Sequence, residues 1–189
     1  ILNTPNNPTG RVLTRAELEG VADVCRRHGL VALTDETYEH IVFDGAHTPL
    51  ATLPGMRERT VTISSYSKTF AVTGWRIGTV VAPPRLTDAI RKVHDFLTVG
   101  APAPLQEACA VALDSLGDDY YADLARAYRE RRDFFLPALR TAGFRCATPA
   151  GAYYVLADFS ALSAADDVSF ARALARGTGP GTGVAVVPG

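Results

Sequence analysis

The chain has 189 residues, 47% of them hydrophobic, which is enough to bury a core in one or two domains. Lys plus Arg number 19 against 20 Asp plus Glu, and the net charge of -1 provides no field for nucleic acid or an acidic membrane, so a small-molecule partner is favoured. No apolar run approaches the ~20 residues that a membrane span requires, and no signal peptide opens the chain.

Both ends read as cut. Ile1-Leu2-Asn3 resembles the end of a strand, Val184 to Gly189 a strand that runs into a loop, and the only methionine is Met56. A fragment of a longer protein is expected. Asn3-Thr4-Pro5-Asn6-Asn7-Pro8-Thr9-Gly10 is dense in turn formers, whose Asn side chains bond locally or point at a ligand. Thr14-Arg15-Ala16-Glu17 has the capping-box pattern, and Leu18, Val21, Ala22 and Cys25 recur on one face. That predicts a helix over 14–28, closed by His28-Gly29.

Leu30 to Thr34 is a short apolar run of the buried parallel-strand kind, and it ends in Asp35-Glu36-Thr37-Tyr38. Ligands in open α/β sheets sit off the carboxyl ends of strands, which places Asp35 well for function. Pro49 to Met56 reads as loop or short helix, and Thr60 to Ser64 as the next strand. Ser64-Ser65-Tyr66-Ser67-Lys68-Thr69-Phe70 then leads through Thr73-Gly74-Trp75-Arg76 into a strand over Ile77–Ala82. Amphipathic spacing predicts helices over 86–97, 105–116 and 120–139. Phe144 to Ala147, a turn at 149–151, a strand-like Tyr153 to Phe159, a helix over 169–176, a Gly-rich loop at 177–183 and a final strand complete the chain. Strand and helix alternate in the α/β manner at first, and the change after about residue 120 suggests a second, smaller domain.

The cysteines, Cys25, Cys109 and Cys146, are odd in number and far apart, which argues for a reducing, cytoplasmic setting and against a structural metal. Cys25 and Cys109 lie among apolar residues at helical spacing and are expected to be packed. The four arginines in 126–132 read as a solvated helix face, and the four histidines show no metal or triad spacing. Trp75 is expected to pack.

Taken singly, the polar residues have bland readings. Lys68 suits a surface, Asp35 a helix cap, Asn7 a turn and Tyr38 a satisfied core position. An aldehyde cofactor with a phosphate tail and a pyridine ring would use them together. Lys68 would form the Schiff base that a substrate amine displaces. Asp35 would hold the ring nitrogen protonated, so that the ring accepts carbanion electrons. Tyr38 and Asn7 would donate to the ring oxygen, while Ser65, Ser67 and Arg76 would hold the phosphate.

Asn-Asn-Pro-Thr-Gly at 6–10, Asp-Glu-Thr-Tyr at 35–38, Ser-Tyr-Ser-Lys-Thr-Phe at 65–70 and Thr-Gly-Trp-Arg-Ile-Gly at 73–78 resemble the class I/II pyridoxal-phosphate aminotransferases. The resemblance covers the whole chain, including Gly151 to Asp158. Tyr38-Glu39-His40, Asp44-Gly45, Leu53 to Met56 and Glu58-Arg59-Thr60 are most similar to the kynurenine, glutamine and methionine aminotransferase branch. It implies pyridoxal 5'-phosphate fold type I, a mostly parallel sheet flanked by helices, with residues 1–119 as the C-terminal part of the large domain. Residues 120–189 would be the connecting helix and an incomplete small α+β domain.

By position, Lys68 matches the internal-aldimine lysine and proton shuttle, Asp35 the ring-nitrogen partner and Tyr38 the ring-oxygen donor. Asn7 matches the contact to that oxygen and to the substrate carboxylate, and Ser65, Ser67 and Arg76 match the phosphate site. The resemblance also implies a homodimer acting on an amino acid and a 2-oxo acid. It places the ring-stacking aromatic and the α-carboxylate arginine outside these residues, so the 189 residues alone are expected to be inactive. Residues 98–104 carry no arginine where aspartate-specific relatives have one, which leans towards aromatic or neutral substrates. Alternative readings are a C–S β-lyase or a cyclopropane-carboxylate synthase, and an aminotransferase-like domain of a transcription regulator.

Overall fold

The computed structural model describes residues 1–177 and 181–189, so part of the Gly-rich loop expected at 177–183 lies outside the described residues. The main sheet runs β1 (Leu2–Asn3), β2 (Ala32–Asp35), β3 (Thr60–Ser65) and β4 (Gly78–Val81) in that spatial order. The first three strands are parallel and β4 is antiparallel to β3. The helix α1 (Arg15–Arg27) joins β1 to β2, the long crossover that parallel neighbours require. Asn3 is in register with Asp35, and Asp35 with Ile63, so the carboxyl ends of three strands share one edge.

The sequence dictates α1 closely. The Thr14 side chain accepts from the Glu17 backbone while the Glu17 side chain accepts from the Thr14 backbone, closing the capping box. Leu18, Ala22 and Cys25 face inwards and meet Ala32, Leu50, Leu53 and Met56 in the first core. Complete burial of Leu18 alone is worth ~1.5–3 kcal/mol. Beyond the sheet come a single turn α2 (Tyr66–Thr69), then α3 (Pro84–Leu97), α4 (Ala103–Ser115) and α5 (Asp118–Thr141). Pro84 opens α3 at a position where its missing N–H costs nothing. No α3 residue is buried, and Cys109 is the buried residue of α4. α5 begins at Asp118, so the expected domain division falls inside its first turn.

The second, two-stranded sheet pairs β5 (Arg145–Cys146) with β6 (Ala157–Asp158) antiparallel, followed by α6 (Asp167–Arg176). The strand expected over Tyr153–Phe159 is therefore reduced to its far end. Its first part bends away because Ala152 sits at φ 57 and Gly151 forms an isolated bridge to Val42. The strand expected over residues 184–187 does not form among the described residues; Val184 N–H instead donates to Leu174 O. No helix among the described residues is long and apolar enough to cross a membrane.

The arginine run on α5 is not a uniformly solvated face. The Arg132 side chain is only 10% exposed, paired with Asp44 and Asp133 and donating to Pro149 O, and Arg129 donates to Phe43 O. Trp75 is 38% exposed rather than packed.

Candidate active site

The edge formed by the carboxyl ends of β1, β2 and β3 gathers most of the residues singled out in the sequence. Asp35 closes β2, half-buried, and its Oδ1 accepts from Thr37 N–H at 3.2 Å and Thr37 Oγ1 at 2.8 Å. This local bond fixes the carboxylate against its own turn. Asn3, in register beside it, donates from Nδ2 to Asp35 O at 3.1 Å and accepts the Asn7 N–H on Oδ1 at 2.8 Å. One amide thus ties the Asn-Pro loop to the end of β2. Asn7 itself is exposed, and its side chain makes no hydrogen bond among the described residues.

β3 leads into α2, whose N-cap is Ser65; the Ser65 hydroxyl accepts from Ser67 N–H and donates to Ile77 O. Lys68 sits in that turn. Arg76 follows on the approach to β4, in the left-handed region at φ 58, with one guanidinium N–H given to Thr73 O at 3.0 Å. Gly78 makes this approach possible. A Cβ there would lie 2.6 Å from Ser64 O, so only glycine lets β4 lie against β3 in this register, with Arg76 and Ile77 beside Ser65 and Tyr66. Ala71, Arg76 and Ala152 all hold positive φ without being glycine. Such strained positions cluster where a ligand site is held by its surroundings.

Tyr38 is buried and its hydroxyl lies 2.7 Å from that of Tyr154. Its ring meets Tyr153 and Tyr154 edge-on at centroid distances of 5.2 and 5.7 Å. Lys68 Nζ is 5.5 Å from the Tyr153 ring centroid. Burial, helped by the hydrogen bond with Tyr154, pushes the Tyr38 hydroxyl pKa far up, so the phenol keeps its proton. Burial acts upwards on Tyr153 as well, but hydrogen bonds from Lys68, Tyr154 and Tyr38 bring its pKa below the ordinary tyrosine value. A cleft of about 400 Å³ reaches Lys68 and Ser67 from the α5 side, past Tyr128, Tyr153 and Tyr154. Asp35, Arg76 and Asn7 do not line that cleft.

Several residues escaped the sequence reading. Tyr153 and Tyr154 were visible only as part of a strand-like segment, and Asn3 only as a strand end. His47 and Glu36 form a buried pair at 2.6 Å, with side chains 7% and 1% exposed. Glu36 Oε1 and His47 Nδ1 have no partner among the described residues. Glu36, Glu39 and His47 bring ligand-type atoms within 4.8 Å of one another. These groups are already engaged, however: His47 Nε2 with Glu36 Oε2, and Glu39 Oε1 with the Ser64 hydroxyl.

Comparison with known proteins identifies the family. Residues 1–188 match the family described as aminotransferase class I and II. The chain is 42% identical over 166 residues to a kynurenine–oxoglutarate transaminase of Dictyostelium discoideum, covering 86% of the chain and 38% of that protein. It is 42% identical to a probable N-succinyldiaminopimelate aminotransferase of Mycobacterium tuberculosis, over 100% of the chain and 46% of that protein. A solved Thermus thermophilus aspartate aminotransferase double mutant superposes with a TM-score of 0.88 at 35% identity, over 99% of the chain and 48% of that structure. The chain spans less than half the length of these relatives. In sequence and in its α/β architecture, it belongs to the class I and II aminotransferase family.

Proposed function

We propose that the protein carrying this chain is a pyridoxal-phosphate-dependent aminotransferase that moves an amino group from an L-amino acid to a 2-oxo acid. The observation that carries the reading is Lys68 in the turn after β3, at the sheet edge where Asp35 closes β2, with Nζ 5.5 Å from the ring centroid of Tyr153, which itself packs on Tyr38.

The donor set fits the cofactor. Ser65, Ser67 and Arg76 offer hydroxyls and a guanidinium for a phosphate, and four of the five Arg76 side-chain N–H groups have no protein acceptor among the described residues. Asp35 offers a carboxylate for a pyridinium nitrogen, Tyr38 and Asn7 offer donors for a ring oxygen, and Lys68 offers the amine. When bound, the cofactor supplies a carbonyl for covalent attachment and a ring that takes up the electron pair left when the substrate α-C–H bond breaks.

The chain's own residues do the rest. Lys68 Nζ would hold the cofactor and, as a free amine, would accept the proton from the substrate α-carbon. The Asp35 carboxylate keeps the ring nitrogen charged; a pair at ~4 Å in an effective dielectric of ~20 is worth ~4 kcal/mol before desolvation. Asn7, whose side-chain amide has no hydrogen-bond partner among the described residues, would orient the substrate carboxylate and the ring oxygen.

The relatives' names cover kynurenine, aspartate and N-succinyldiaminopimelate, so they support the reaction class and not one substrate. Residues 1–119 would belong to the large domain and 120–189 to the smaller one, in a cytoplasmic homodimer. The test is borohydride reduction of the intact protein with its cofactor, followed by peptide mass analysis. The label is expected on Lys68 and not on Lys92, the chain's other lysine. In Lys68→Ala the visible absorbance band and amino transfer should both vanish; a band that survives in that variant refutes the assignment.

A further inference from the structure

We propose that Tyr154 is a positioning residue for Tyr38: its hydroxyl, 2.7 Å from that of Tyr38, donates into the Tyr38 oxygen and leaves the Tyr38 proton free for the ring oxygen of the cofactor. The inference rests on the role proposed above for Tyr38 and adds a residue that role does not contain.

The argument is one of proton bookkeeping. Each phenol has one proton to give and lone pairs to accept with. In a pair of phenols only one can donate, and either assignment satisfies the observed distance. If Tyr38 donated to Tyr154, it would have nothing left for a ligand. An anionic ring oxygen is the stronger acceptor and draws the Tyr38 proton, and the Tyr154 proton then fills the Tyr38 lone pair. Bonds arranged head to tail in this way polarise one another, so the second phenol strengthens the first. Burial raises the pKa of both Tyr38 and Tyr154, so both keep a proton to donate.

The contact is built by the backbone and is not a chance meeting of two side chains. The turn that carries Tyr38 closes with Ile41 N–H donating to Tyr38 O. The next residues are pinned to the segment that carries Tyr154: Phe43 N–H donates to Ala150 O, Ala152 N–H to Ile41 O, and Val42 bridges Gly151. Ala152 is fully buried at φ 57, which turns the chain so that Tyr153 and Tyr154 both meet Tyr38. The link therefore couples residues 116 positions apart across the join between the β2 end and the segment after α5.

The experiment compares Tyr154→Phe, Tyr38→Phe and the double variant in the intact holoenzyme, by titrating the visible absorbance band against pH. A donor to the ring oxygen favours the deprotonated form, in which that oxygen carries more negative charge, so losing the donor raises the midpoint. Tyr154→Phe removes one oxygen and weakens one bond, and is expected to raise the midpoint by about 0.5 unit, roughly threefold in the protonation constant. Tyr38→Phe should raise it further, and adding Tyr154→Phe to that variant should change nothing more. A midpoint unchanged in Tyr154→Phe, or the same shift persisting without the Tyr38 hydroxyl, overturns the inference. If Tyr38→Phe shifts the midpoint and Tyr154→Phe does not, the inference falls alone. If Lys68 carries no cofactor in the wild-type protein, the proposed function falls with it.

Discussion

His47→Ala should be among the most damaging single substitutions in the chain, although His47 makes no hydrogen bond to a proposed cofactor residue among the described residues. Glu36 is 1% exposed, and His47 Nε2 at 2.6 Å is the hydrogen-bond partner of its carboxylate. The other oxygen, Oε1, has no partner among the described residues, and the neighbouring charged group is a second carboxylate, Glu39. Deleting the imidazole leaves the buried carboxyl without its partner, and breaking comparable buried pairs costs ~3–5 kcal/mol. Against a total stability of ~5–15 kcal/mol, that is a large share. Glu36→Gln keeps an acceptor for His47 without the charge and should cost ~1 kcal/mol. In the Glu36→Gln background, His47→Ala should then cost only ~1–2 kcal/mol, leaving a coupling of ~2 kcal/mol. The assay is urea unfolding of the cofactor-free intact protein, followed by circular dichroism, for the wild type, both single variants and the double. A loss below ~1 kcal/mol for His47→Ala, or equal losses in both backgrounds, would refute the reasoning.

Gly10→Ala should destabilise by ~3 kcal/mol or more. Gly10 holds φ +67, where an alanine alone costs ~1–2 kcal/mol, and its Cβ would lie 2.2 Å from Pro149 Cβ. Thermal melting within a degree of the wild type would count against it. Acid sensitivity should arise in part at His40, whose pKa burial lowers from 6.5 despite the raising effect of Glu39. The unfolded state then binds the proton more readily, so this contribution is present above pH 6.5 and is lost as pH falls below 6.5 through the lower folded value. Unfolding measured at several pH values should show a shallower acid slope in His40→Gln; an identical slope removes His40 as the cause.

How much of this was legible in the sequence depends on how local each cause is. α1 was readable because the cap, the apolar period and the closing glycine all lie within fifteen residues of one another. β2 and β3 were readable as short apolar runs ending in polar residues, and the strand-end rule placed Asp35 correctly at the edge. The segment 153–159 was not, because its geometry follows from Ala152 at φ 57 and from a bridge to Val42, which alternation of side chains does not encode. The Glu36–His47 pair escaped for a similar reason. A histidine gains a role here by being buried against a carboxylate, and burial is a tertiary property. Arg132 read as one of a solvated run, yet its stem packs and its guanidinium is closed by Asp44, Asp133 and Pro149 O.

That contrast also separates a polar network that holds the fold from one able to hold a ligand. Arg132 is nearly buried with its bonds spent within the chain, and the buried Glu36 Oε2 and His47 Nε2 hold each other, although Glu36 Oε1 and His47 Nδ1 have no partner among the described residues. At the strand ends the division of labour is different. Asn3, Thr37 and Thr73 use their polar atoms to fix the backbone or a neighbour. The residues they support keep capacity in reserve. Asp35 spends Oδ1 on Thr37 and keeps Oδ2, Arg76 spends one N–H, and the Asn7 amide spends none among the described residues. Lys68 has no carboxylate partner there, only the phenol side of Tyr153. Asn7 and Arg76 are exposed and Asp35 and Lys68 half-buried, so their uncommitted atoms are hydrated and can turn to a ligand without breaking a bond that holds the fold. A ligand that presents a phosphate, a protonated ring nitrogen, a ring oxygen and a carbonyl carbon would use all four at once, and for that reason the site is read from its unspent valences.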